Sequence, residues 1–427
     1  MMKLSYPKFA IGAAGRSERL KQVVFACFDR PASEVESELN QFTLRDWQRI
    51  LYWLDSSGLA LYLLDQLRQL NLTSSIPGSM LQRFEKDISE NRARAAHLFR
   101  EASEISREMT RQGVSFALLK GITLTPVPVS DLALRWQSNL DFVVEASAAK
   151  AAAEILVDFG YSLHAVRGAT LEFKAGEISK PDICDAYRVG SQRAVELHLL
   201  AAAPDRDGPR SDQLIRAQLR SFNGVMIPAL SPADILVQQA LHLFKHLCGE
   251  HMRASWVLEF QRHVQARYHD AAFWREVEAI AAEDSRAEIA LGVSVLLATL
   301  AFGDFAPDSL KRRTVDRLPP TVRRWIEEYG MKVMFANSPG NKLCLILRQQ
   351  LAQSQEVRSE VRRLIFPTRL PPSVTHGEPG QPLLVRLRRY RVGIGHLYTR
   401  ACFQVREGIR YAIECARWPR RSPGITR

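Results

Sequence analysis

Apolar residues at 81, 84, 88, 95, 98, 102, 105 and 109 recur close to the period of an α-helix and predict one long helix after Pro77. It should stop at Gly113, whose missing Cβ suits a left-handed C-terminal cap. Upstream, DWQRILYWL and LALYLLDQL are two helical runs parted by the turn-forming Asp55-Ser56-Ser57-Gly58. Beyond Gly113 the pattern changes. VSFALL (114–119) and LDFVV (140–144) read as compact apolar strands, and Pro126 and Pro128 between them exclude a continuous helix. Ser147 is placed to cap a helix through Phe159, with Gly160 to end it. YSLHAV, TLEFKA and AVELHLL supply three further strand-like segments. Together these make a small α/β or α+β core from about 114 to 229.

Helical pattern returns at SPADILVQQALHLFKHL. Ser231 is a good N-cap, Pro232 suits the first helical position, and Asp234 falls in the first turn. The pattern runs to about Leu364, and Pro367 to Pro382 then holds five prolines, the composition of a linker or surface wrap. A basic amphipathic helix is predicted from about His396. The expected organisation is a helical region (1–112), a mixed core (113–229), a second helical region covering it (230–366) and a proline-rich linker with a basic tail (367–427). No internal repeat is visible.

Composition narrows the class. A chain of 427 residues suits two or three domains of ordinary apolar content. No run of eighteen apolar residues occurs; the longest candidate, Ile289 to Gly303, is interrupted by Gly, Ser and Thr and reads as a buried helix. The N-terminus lacks the sustained apolar core of a secretion signal, so a cytoplasmic location is expected. Six cysteines (27, 184, 248, 344, 402 and 415) include no CxxC pair, which argues against a disulfide framework and a thiolate zinc site. The net charge of +12 is uneven: Gly380 to Arg427 holds eleven arginines and two glutamates, a net of +9. Such a tail suits nucleic acid, anionic lipid, an acidic partner or simply solvent.

The chemistry concentrates between residues 116 and 145. One strand ends in Lys120-Gly121, and a second opens with Asn139-Leu140-Asp141, whose first and third side chains share a face. A strand-end glycine lets backbone approach phosphate, a lysine or arginine offsets phosphate charge, and carboxylates on neighbouring strands suit Mg²⁺. Two such ions would activate an attacking oxygen and stabilise a leaving one.

These pieces come in a particular order. SSGLALYLLDQL precedes the long helix into GVSFALLKGITL; Arg135 stands a few residues before NLDFVV; then come AAEILVDFGY, VELHLL, SPADILVQQALHLFKHL with WVLEF, and LIFPTRL. In that order and spacing, residues 40 to 410 resemble the large bacterial family of uncharacterised nucleotidyltransferases, within the DNA-polymerase-β-like superfamily. The resemblance implies an α+β fold with a small mixed sheet flanked by N- and C-terminal helical regions. It implies a nucleotidyltransferase holding Mg²⁺ and an NTP, with an acceptor (small molecule, saccharide or protein) that it does not name. By position, Lys120 and Gly121 match the family's strand-end pair and Arg135 its loop arginine. Asn139 and Asp141 match its acidic pair, and Glu196, followed by His198, its third acid. Asp141 and Glu196 are thus the expected catalytic and metal-holding acids, with Asn139 a third ligand. His242 and His246, with Lys245, would lie on a helix over the nucleotide cleft. The broader superfamily favours Gly followed by Ser or Gly, whereas Ile122 follows here. Asn139 also replaces a carboxylate with an amide that ligates Mg²⁺ without charge and serves no base.

Several alternatives stay open. Glu172, in Leu171-Glu172-Phe173, has the same local pattern as Glu196 and rivals it as third acid. Lys120 and Arg135 also fit a strand-end lysine with an extended stem and a solvated loop arginine. His242 and His246 would suit zinc only with a third ligand such as His251 or His263. Trp256 and Phe260 read as core. No RNA-binding module or aromatic stacking platform is visible, so nucleic acid is not an expected partner. The amide at 139 equally suits a non-catalytic protein that binds a nucleotide or serves as an accessory.

Overall fold

The computed structural model describes residues 15–176, 187–189, 193–200, 212–352, 361, 364–365 and 383–418. Four helices open it: α1 (Arg16–Ala26), α2 (Ala32–Leu39), α3 (Leu44–Ser56) and α4 (Ala60–Gln69). The long helix α5 (Gly78–Arg111) follows. It ends as its sequence requires: Gly113 takes φ +71°, and the Val114 amide reaches back to the Met109 carbonyl at 2.9 Å.

The mixed part comprises β1 (Phe116–Leu119), β2 (Leu140–Glu145), α6 (Ala149–Asp158), β3 (Ser162–Arg167), β4 (Thr170–Ala175), β5 (Arg193–Leu200), β6 (Gln218–Phe222) and β7 (Val225–Ala229). Its strands form one mixed sheet in the order β3-β4-β5-β2-β1-β7-β6. β2 pairs parallel with β5 and β1 parallel with β7, while the remaining pairings are antiparallel. Two local expectations change. Ser147 does not cap α6; it lies in a short 3₁₀ turn (Ala146–Ala148), its hydroxyl 3.3 Å from Glu145, and the helix starts two residues later. The β6–β7 hairpin was not anticipated, although its turn, Asn223-Gly224, takes the two positive φ values (48° and 81°) that this dipeptide favours.

After the sheet come α7 (Pro232–Leu247), α8 (Ala254–Ala266), α9 (Ala271–Ala282), α10 (Ser285–Phe302), α11 (Asp308–Arg313), α12 (Pro320–Met334) and α13 (Cys344–Leu351). Ser231 caps α7 as expected, accepting from the Asp234 amide at 3.1 Å. Among described helices, α10 alone is long and apolar enough to cross a membrane, but it packs inside the protein against α7, α8, α9 and α12. The helices before and after the sheet share one apolar core, in which Trp53, Leu64, Leu243, Val295 and Trp325 are all buried. A second core, with Phe142, Leu197 and Phe173, lies between the sheet and α5 and α6.

The tail helix α14 (Leu383–Arg417) starts earlier than the expected His396. Its first half exposes Leu384, Ile394 and Tyr398, whereas its second half buries Tyr411 in the helical core and hydrogen-bonds Tyr329 through Glu414 at 2.9 Å. The proline-rich stretch 367–382, Cys184 and the arginines beyond Trp418 lie outside the described residues.

Candidate functional site

Strand register brings the acids together. Asp141 on β2 pairs with Glu196 on β5, and Glu196 pairs with Glu172 on β4, so three carboxylates form a row across one sheet face. His198, two residues beyond Glu196, projects from the same face. Its Nε2 lies 2.9 Å from Asp141 Oδ1 and 3.5 Å from Glu196, and its Nδ1 lies 3.2 Å from the Thr170 hydroxyl. Asp141, Glu196 and His198 each offer a ligand atom, all within 4.8 Å of one another.

The electrostatics separate the acids. Burial works to raise Asp141, but Lys120, whose Nζ is 3.2 Å away, and His198 outweigh it and hold the carboxyl below its usual range. Glu196 goes the other way, raised by burial and then by the negative charge of Asp141. Glu172 is neutralised locally by Lys174 at 2.9 Å and Arg167 at 3.2 Å. Its charge is already matched, which favours Glu196 over Glu172 as a ligand. Burial and then Lys120 lower His198, leaving a neutral ring at pH 7.

Lys120 and Gly121 form a strained corner between β1 and a 3₁₀ turn. Lys120 sits at φ 60°, ψ −169°, a region that L-residues rarely occupy and that costs about 1–3 kcal/mol. Gly121 takes φ +50°, and a Cβ there would lie 2.3 Å from the Gln137 side chain. The corner turns Lys120 onto Asp141 and brings backbone to the cleft rim. Asn139 lies on the same wall; its Oδ1 accepts from the Ser138 hydroxyl at 3.2 Å and its carbonyl from Gln137 at 2.7 Å.

A cleft of about 410 Å³ opens over this floor, and α7, α8 and the 135–139 loop complete its walls. His242 and His246 do lie on α7 over the cleft, and Trp256 of α8 joins them with all three ring centroids 4.5 Å apart. Burial lowers both imidazoles, His246 to about 4, so they are neutral. No metal-ligand group that includes them occurs among the described residues. His263 instead bonds Gln239 at 2.6 Å. Phe260 is core as expected, while Trp256 packs on the core and also faces the cleft. Arg135 lines the cleft but is engaged: it pairs with Glu259 at 3.2 Å, and Tyr62 donates to the same carboxylate at 2.9 Å.

Sequence reasoning did not assign a role to His198, although the alternation Glu196-x-His198 puts both on one strand face. It also missed Trp136 and Arg253. The Arg253 guanidinium lies 4.0 Å from the Trp136 ring centroid and 5.3 Å from that of Trp256. No spacing rule links a loop at 136 to a residue at 253; only the packing of α8 against α4 and the loop does.

The sequence matches the family described as uncharacterised nucleotidyltransferase over residues 43–303, more than half of the chain. It is also similar, at 12% identity and a TM-score of 0.29, to the crystal structure of an antigenic nucleotidyltransferase-like protein from Paracoccidioides brasiliensis. That match covers 52% of this chain and 97% of the other. No curated protein matches it.

Proposed function

The chain belongs to the uncharacterised nucleotidyltransferases, and from that premise we propose that its cleft transfers a nucleotidyl group from an NTP to an acceptor hydroxyl with the help of a divalent cation. The observation that carries this reading is the convergence of Asp141, Glu196 and His198 within 4.8 Å beneath a cleft edged by Lys120 and Gly121. Two adjacent carboxylates, one raised by the charge of the other, suit a cation. Mg²⁺ prefers oxygen, so Asp141 and Glu196 would hold it alongside phosphate oxygens, with the neutral amide of Asn139 as a weak addition. The imidazole of His198 suits Mn²⁺ or Zn²⁺ better and otherwise orients Asp141.

Bound cation would supply positive charge to the phosphate oxygens and to the acceptor oxygen. The acceptor hydroxyl gives up its proton to water as its oxygen forms a bond to the α-phosphorus, the bond to the β-phosphate bridge breaks, and pyrophosphate leaves with that electron pair. The protein's part is positioning. Lys120, which balances Asp141, would be available to phosphate if a cation took over that charge. Gly121 permits close approach of the polyphosphate, and Arg135, fixed by Glu259, contributes field at the cleft wall. Neutral His242 and His246, with Trp256, offer an aromatic surface to a base. A cytoplasmic protein would meet NTPs at working concentration.

A second reading rests on Asn139. With an amide at the first acidic position, two divalent ions would face too little negative charge, and the cleft would bind a nucleotide without transferring it. An acceptor screen with α-labelled ATP, GTP, CTP and UTP, run on the parent and Asn139→Asp, separates the two. Label transferred by the parent supports the enzyme. Nucleotide binding without transfer in either protein supports the accessory role.

A further inference from the structure

Behind the acidic floor the balance of charge reverses. Arg135 and Arg94 both act on the charge of Arg253, with Glu259 as a nearby carboxylate. Glu259 is committed to Arg135 and Tyr62. Arg253, at the N-cap of α8, lies against two indoles and donates weakly to the Trp136 carbonyl at 3.4 Å, with no ion pair among the described residues. The Arg94 side chain, from α5, has neither a hydrogen bond nor an ion pair among them. It lines, with Arg135 and Gln137, a small recess that shares both of those residues with the main cleft. Burial lowers both unpaired guanidinium groups only to about 10, so each stays charged at pH 7.

A guanidinium drawn out of water without a counter-charge is unfavourable, and such groups are usually paired or supplied with a ligand's charge. The carboxylates of the floor make no ion pair with either group: Asp141 is held by Lys120 and His198, and Glu172 by Lys174 and Arg167. The planar fork of arginine matches phosphate oxygens in pairs, and the indole faces hold the fork in one plane. The N-terminus of α8 adds positive potential at the same point.

We infer that Arg253 and Arg94 form an anion subsite for the terminal phosphates of a polyphosphate: the β- and γ-phosphates of an NTP and then the pyrophosphate that leaves. This rests on the nucleotidyl-transfer reading and deepens it. It orients the substrate, with its α-phosphate over Asp141 and Glu196 and its tail toward the arginines. The site is then bipolar, cation on the sheet and anion against the helices.

Calorimetric titration of the full chain with inorganic pyrophosphate, without divalent metal, tests the subsite. The parent binds pyrophosphate more tightly than a nucleoside monophosphate. Arg253→Met weakens that binding roughly tenfold to a hundredfold, as expected for charge-assisted bonds, and Arg94→Met by a smaller factor. Asp141→Asn binds at least as well as the parent, because a repelling charge is gone. Failure of the parent to bind, or parent-like affinity in a cooperatively melting Arg253→Met, overturns the assignment. Should Arg253→Met not fold, undiminished binding by Arg94→Met overturns it instead. The two readings fail separately. Pyrophosphate bound through Arg253 with no label transfer removes the enzyme and keeps the subsite. Label transfer with binding indifferent to Arg253 does the reverse.

Discussion

The two faces of the central sheet come from the same strands and do opposite things. On one, Leu140, Phe142 and Val144 of β2, Val195 and Leu197 of β5, and Phe173 of β4 pack against α5 and α6 in a largely apolar core. On the other, the intervening residues Asp141, Glu196, His198 and Glu172 line the cleft. Burying apolar area drives folding without specifying any chemistry. Burying a row of carboxylates opposes folding, and the row persists because Lys120 and Lys174 offset its charge and the neutral His198 ring hydrogen-bonds Asp141. The apolar face thus accounts for the sheet, and the polar face is retained for what it binds.

Substitutions on alternate positions of β2 should separate the two roles. The largest effect is expected at Asp141→Asn, which should cut nucleotidyl transfer by roughly 10²–10³-fold, the range seen for loss of a charge-stabilising group, while the protein still folds cooperatively, with a lower unfolding midpoint because the pair to Lys120 is lost. Steady-state transfer and urea unfolding on the same preparation check both halves. Its neighbour Phe142→Ala should do the reverse. Truncating this buried ring should cost about 3–5 kcal/mol, with cation affinity per folded molecule retained. A Phe142→Ala protein as stable as the parent, or an Asp141→Asn protein that loses its fold, would erase the distinction.

Acid should act mainly through the cleft and its helical cover, where the buried imidazoles lie. Burial lowers His246 and His251 to about 4 and His263 to about 3. The unfolded chain binds protons at these rings below about pH 6.5 while the folded chain does not. Stability is therefore full above pH 6.5 and falls as pH drops toward 4, by an amount on the order of a few kcal/mol. Urea midpoints at pH 7, 6 and 5 measure it. The same slope should appear in Phe142→Ala and a shallower one in His263→Gln.

The smallest effect is expected at Asn139→Asp. A carboxylate at the rim should raise affinity for a Mg²⁺–nucleotide about tenfold or less, with stability unchanged within about 0.5 kcal/mol. Calorimetry with and without Mg²⁺ detects it. Equal metal affinity in the parent and the variant would place position 139 outside the cation site.

Much of this was legible in the sequence because the signals were local. The 3.6-residue rhythm after Pro77, the stop at Gly113 and the Ser231-Pro232 start each act within one or two turns. The cleft floor was legible through Lys120-Gly121 and the i, i+2 pair at 139 and 141, while Glu196 came from the family resemblance, since Glu172 has the same local pattern. The Asn223-Gly224 hairpin was equally readable and was overlooked. Ser147 failed as a cap because a 3₁₀ turn comes first. The side-chain pairings made by the helical cover were not legible. Glu259 reaches Arg135 and Arg253 reaches Trp136 across more than a hundred residues, and such partners are chosen by packing rather than spacing. The tail divides for the same reason: arginine content marked α14 as basic, yet Tyr411 is committed to the core by contacts far away in sequence.

The proposed cation site rests on Asp141 and Glu196, with His198 beside them. Electron paramagnetic resonance of Mn²⁺, as a spectroscopic stand-in for Mg²⁺, tests it most directly when titrated with ATP into the parent, Asp141→Asn and Glu172→Gln. The account predicts saturable uptake by the parent, weakened at least about tenfold in Asp141→Asn and unchanged in Glu172→Gln, whose charge is already matched by Lys174 and Arg167. Equal uptake by the parent and Asp141→Asn, or none by the parent, would contradict it.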